Sequence, residues 1–133
     1  MRGLTMVTMV TGVTAAAAAA ETPMGEAQLD ALLTGNTVYI EVPPGGPGGP
    51  EGGLAPFLYG ADGRAVAVLP AGLTLVGTWR LEGDRYCVDW DNGPKDSCTR
   101  LVKSAEALLM VDPKTGETRG AVESIRPGNP EAL

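Results

Sequence analysis

The chain has 133 residues, one domain by size, with a formal net charge of −6 and no histidine. The missing imidazole excludes Ser-His-Asp and Cys-His catalysis, His-built zinc sites and axial haem ligation. The acidic balance disfavours phosphate backbones and anionic membrane surfaces, so no nucleic-acid partner is expected.

Residues 1–20 read as a secretory signal peptide: Arg2 is the positive start, Leu4 to Val13 the apolar stretch, and Ala15 to Ala20 the small residues before a cleavage point at Glu21. What remains is a single predicted domain, 21–133, with a periplasmic or secreted address. Losing Arg2 takes the net charge from −6 to −7. No later segment is long and apolar enough to make a membrane span.

Residues 25–35 suggest one short N-terminal helix, with Leu29, Leu32 and Leu33 on one face and Gly35 as its stop. Thr37 to Val42 alternates as a strand, Val38, Ile40 and Val42 against Thr37, Tyr39 and Glu41. Residues 43–56 are rich in proline and glycine and are predicted to form a mobile surface loop.

From Phe57 onward the pattern is a meander. Phe57 to Tyr59 and Arg64 to Leu69 flank Asp62-Gly63; Leu73 to Leu81 and Arg85 to Trp90 flank Glu82-Gly83-Asp84. A Gly83-Asp84 turn pairs Leu81 with Tyr86, Trp79 with Val88 and Gly77 with Trp90. A four-residue loop from Asp91 to Pro94 then sets Cys87 opposite Cys98, at a non-hydrogen-bonded site where Cα atoms approach to about 4.5 Å. Oxidation is expected in an exported chain, worth about 2–3 kcal/mol for so short a loop. Ala107 to Val111 and Glu117 to Ile125 complete the run, and Pro127 to Leu133 reads as a frayed tail. The expected fold is mainly β: a small antiparallel meander barrel of about seven or eight strands, with one helix and one disulfide.

Asp84, Asp89, Asp91 and Asp96 gather around the cysteine hairpin. Asp89 to Gly93 superficially matches the start of an EF-hand loop, but the glycine falls one place early and the twelfth position is Arg100. No metal and no cofactor are therefore expected. Asp89 and Asp96 face each other across the sheet without a cleft, so no enzymatic role is assigned. Trp79, Tyr86 and Trp90 are the candidate ligand-binding residues of an aromatic pocket. The same side chains suffice to fill a narrow barrel, and core packing is the competing account.

The segments Leu33-Thr34-Gly35-Asn36-Thr37, Tyr59-Gly60-Ala61-Asp62-Gly63, Gly77-Thr78-Trp79 and Tyr86-Cys87-Val88-Asp89-Trp90, followed by Cys98, resemble small exported proteobacterial proteins of the DUF995 group. The resemblance covers residues 26–110 and implies a periplasmic, lipocalin-like β-domain with no attached activity; the Pro/Gly tract departs from it. A more distant likeness is to periplasmic protease or lysozyme inhibitors. The expectation is a non-catalytic binding module for a small apolar ligand or an envelope protein. The alternative is an inhibitor of an exported hydrolase, acting through residues 43–56 or Asp91 to Lys95.

Overall fold

The computed structural model describes residues 22–133, and the predicted signal peptide lies outside the described residues. In chain order the elements are β1 (Thr22–Pro23), α1 (Glu26–Leu33), β2 (Asn36–Val42), β3 (Gly53–Tyr59), β4 (Arg64–Val68), β5 (Thr74–Glu82), β6 (Arg85–Trp90), β7 (Ser97–Lys103), β8 (Leu108–Val111) and β9 (Thr118–Pro127). Strands β2 to β9 pair antiparallel in sequence order, and β9 returns to β2. The result is a closed eight-stranded up-and-down barrel with one helix and a Cys87–Cys98 bridge. Closure gives every one of these strands two neighbours and leaves no long edge to template aggregation.

Turn chemistry sets the register. Gly83, at φ 67°, supplies the left-handed residue of the β5–β6 turn. Leu81, Trp79 and Gly77 then fall opposite Tyr86, Val88 and Trp90, as the sequence predicts. Tyr86, Val88 and Trp90 are buried in the barrel, while Arg80 of β5 and Asp89 of β6 face out. Cys87 pairs with Cys98 at a Cα separation of 4.0 Å, the narrow kind of cross-strand pair. The bridge therefore staples the outer side of the sheet. Arg80, directly across from Cys87, holds Glu82, Asp89 and Asp96 at 2.5, 3.1 and 2.6 Å. These pairs are exposed, so they arrange the surface more than they stabilise it.

One end of the barrel is plugged. Helix α1 lies against β2, β5 and β6, and Leu29 and Leu33 enter the core fully buried. Gln28 accepts from the Gly25 amide at the start of the helix, and Glu26 accepts from the Gly83 amide at 3.0 Å. Strand β1 pairs with Val102 and Lys103 of β7, beyond the residues of β7 that β6 covers. The Met24 amide extends this seam to the Leu101 carbonyl.

Two expectations need correction. The Pro/Gly loop ends at Gly52, not at residue 56: Gly53, Leu54, Ala55 and Pro56 pair with Val42, Glu41, Ile40 and Tyr39. The β3–β4 ladder stops at Phe57, so Pro56 has a strand neighbour on one side only. A proline that cannot donate is tolerated at such an edge-like position. Nor is the C-terminus frayed. The Gly128 carbonyl accepts from Thr37 Oγ1 at 2.7 Å, and Glu131 accepts from the Tyr39 hydroxyl at 2.6 Å. The tail thus covers the outer face of β2, which is why Thr37 and Tyr39 are buried despite pointing away from the barrel axis.

Candidate ligand-binding lumen

The end opposite α1 carries the loops between β2 and β3, β4 and β5, β6 and β7, and β8 and β9. Beneath them the lumen holds a cavity of about 270 Å³. Inward-facing alternate residues make its apolar wall: Ile40 and Val42 from β2, Phe57 from β3, Leu75 from β5, Val88 and Trp90 from β6. Phe57 and Trp90 meet edge-on, with centroids 6.2 Å apart. Tyr59 and Tyr86 form the inner part of the wall, again edge-on, at 5.3 Å. Such tilted aromatic pairs set ring edge against ring face and hold the side chains in fixed orientation.

Of the three residues predicted to touch a ligand, Tyr86 and Trp90 line this cavity and Trp79 does not. Trp79 packs edge-on against Tyr59 at 5.4 Å, and its indole N–H donates to the Gly60 carbonyl at 2.8 Å. It anchors the β3–β4 turn near the plugged end.

A polar line crosses the otherwise apolar wall. The Tyr59 hydroxyl lies 3.5 Å from that of Tyr86. Tyr86 is the cross-strand partner of Thr99, whose hydroxyl meets a guanidinium nitrogen, Arg119 Nη2, at 2.8 Å. Burial pushes the Tyr59 phenol well above its ordinary value. Burial raises Tyr86 too, although hydrogen bonds to Tyr59 and Thr99 and the Arg119 charge pull it partly back. Both rings are therefore neutral at physiological pH, and their hydroxyls act as donors and acceptors.

An alkaline limit follows. A phenol whose folded pKa is raised favours the fold fully below the unfolded value of 10.0, and this contribution shrinks as pH rises past it. The melting temperature is expected to fall progressively above about pH 10. Tyrosinate absorbance should show Tyr59 ionising only together with unfolding. Ionisation of Tyr59 in the folded protein near pH 10 would contradict its burial.

Arg119 reaches the lumen through a β-bulge. Met110 pairs with Gly120 and Val111 with Thr118, so Arg119 is the extra residue of β9. Cys98 occupies a narrow pair with β6, which turns its carbonyl away from β6. Strand β8 ends before reaching that carbonyl, its last partner on β7 being Arg100. Arg119 Nη2 fills the gap by donating to the Cys98 carbonyl as well as to Thr99. Reading Glu117 to Ile125 as plain alternation misses this. The signal in the sequence is Gly120, since an isolated glycine in a strand marks a bulge or a close backbone approach. A Cβ there would lie 3.0 Å from the Glu41 carbonyl oxygen.

The acidic hairpin is locally compensated by guanidinium groups. Asp89 and Asp96 meet Arg80, and Asp84 meets Arg85 and Arg100 at 3.1 and 3.0 Å. Among the described residues, Cys87, Asp96 and Cys98 form a grouping compact enough for a metal, but the two sulfurs are bonded to each other. That leaves one carboxylate, too few donors to hold an ion.

Comparison with protein-family models, with curated proteins and with solved structures found no match. No helix among the described residues is long and apolar enough to cross a membrane.

Proposed function

We propose that this chain is a non-catalytic binding barrel, exported to the periplasm or beyond, that holds a small apolar ligand in its lumen. The observation that carries this reading is the 270 Å³ cavity, apolar over most of its wall, open at one end and lined by Trp90. Small-molecule sites combine such walls with a few placed polar groups. The DUF995-like segments are consistent with the same reading, since they imply a lipocalin-like periplasmic domain. An inhibitor of an exported hydrolase is the second reading. Its strongest loop, residues 43–52, is proline and glycine apart from Glu51, so it has little side chain to insert into an enzyme cleft.

The test uses Trp79→Phe protein, in which Trp90 is the remaining indole. Octan-1-ol, cyclohexanol and borneol, none of which fluoresces, are titrated while Trp90 emission is recorded. At least one should give a saturable change. Val88→Phe, which places a ring inside the cavity, should abolish that change while leaving the circular dichroism spectrum intact. A linear, non-saturating response to all three probes, identical in the Val88→Phe protein, would overturn the lumen as a binding site.

A further inference from the structure

We infer that the lumen selects an anionic amphiphile, a medium-chain carboxylate, with its head on Arg119 and its chain in the cavity. This rests on the binding-barrel reading and assigns the ligand class to that same site.

Three observations converge. First, among the described residues Arg119 is the one charged side chain in the wall of the cavity. The bulge that turns it there breaks an otherwise regular ladder. Second, its guanidinium has donors to spare. Nη2 is occupied by the Cys98 carbonyl and Thr99, whereas Nε and Nη1 carry three further N–H groups with no partner among the described residues. No carboxylate of the described residues lies within ion-pair distance of it, although Arg119 is exposed at the mouth and its charge helps to lower the Asp112 carboxyl nearby. A guanidinium offered to a ligand in this way selects carboxylate over neutral heads through charge-assisted hydrogen bonds. Third, Arg119 also borders two outer hollows, one beside Asp96 and Asp112, the other beside Pro43 and Glu51. The head group therefore reaches it at the mouth without crossing the apolar wall.

Cavity size limits the chain. At about 30 Å³ for each non-hydrogen atom, the share of one liquid water, 270 Å³ admits roughly nine atoms. Saturated carboxylates of about eight to ten carbons match this once the head is left at the mouth. Longer chains must protrude. The hydroxyls of Tyr86 and Thr99 continue the polar line inward from Arg119, so a carboxylate that enters slightly deeper still finds donors.

Hexanoate, octanoate, decanoate and hexadecanoate are titrated against the Trp79→Phe protein, with octan-1-ol and decan-1-ol as neutral counterparts. Affinity should peak at octanoate or decanoate. Each acid should bind about tenfold or more tightly than the alcohol of equal length, the preference typical of a hydrogen bond to a charged group. Arg119→Gln should remove this preference and leave alcohol binding unchanged. Arg119→Lys should restore part of it. Raising ionic strength from about 0.05 to 0.5 M should weaken acid binding in the unaltered protein, but not alcohol binding. That arm needs no variant to fold. Equal affinity for acids and alcohols, or a preference untouched by Arg119→Gln, overturns the carboxylate assignment and leaves the barrel reading standing. Failure of acids and alcohols alike overturns both.

Discussion

Tyr59→Ala is expected to cost about 3–5 kcal/mol, as for other buried aromatic truncations. Tyr59 is 1% exposed and the bulkiest of the fully buried side chains. It touches Phe57, Trp79 and Tyr86 through ring contacts, and so joins the plugged end of the barrel to the cavity wall. A domain of this size has about 5–15 kcal/mol in total, so the variant should lose a large part of its stability. Tyr59→Phe keeps the ring and gives up only a long hydroxyl contact of 3.5 Å. It should cost about 1 kcal/mol or less. Urea unfolding of the two variants separates packing from hydrogen bonding. A loss below about 1 kcal/mol for Tyr59→Ala would mean that the aromatic cluster is not the centre of the core.

Gly77→Ala should be nearly as damaging, although it adds a single methyl group. A Cβ at Gly77 would lie 2.2 Å from the Asp89 carbonyl oxygen and 2.8 Å from Trp90 Cα. Both obstacles are backbone, so no rotamer change relieves them. The strands are also pinned at this point, because the Asp91 amide donates to the Val76 carbonyl at 2.7 Å. Separating β5 from β6 should cost about 3 kcal/mol, the upper range for overpacking. Gly25→Ala is the control, since a Cβ there meets nothing within 4 Å. Its cost should stay below about 1 kcal/mol, the scale of a helix N-cap change. Equal midpoints for the two alanine variants would show that the close approach at Gly77 is not a constraint.

Much of the barrel was legible in the chain because its turns are chemically explicit. Glu82-Gly83-Asp84-Arg85 admits one register, and that register fixes which side of β6 carries Tyr86, Val88 and Trp90. Cys87 does pair with Cys98, but not through the four-residue loop expected from Asp91 to Pro94. The connection runs over residues 91–96, the Trp90 amide donates to the Pro94 carbonyl, and Asp96, at φ 49°, takes up the extra residue before Ser97. What alternation does not encode is where the sheet is covered from outside. Thr37 and Tyr39 look like solvent-facing positions, and only the fold of residues 128–133 reveals why they are buried. Pro56 looked like a breaker because its tolerance depends on β4 ending early, a fact of tertiary pairing. The wall of the candidate cavity is half readable. Tyr86 and Trp90 share a face that lines the cavity, whereas Trp79 shares that face but lies too far toward the plug. Arg119 escapes plain alternation because it is itself the extra residue of a bulge; a second shift against β2, which skips Glu123, keeps both Val122 and Ile125 against the core.

Because α1 seals the far end, the vessel has a floor, and whatever enters must back out along the same route. On the proposed binding reading, α1 blocks the far end as a second exit among the described residues. A donor and an acceptor of the cargo would have to meet the same rim in turn, so they would compete for it. Residence time would then depend on how readily the loops around Pro43–Gly52 and Asp91–Pro94 part, and a small change in those loops would alter delivery without touching the chamber itself.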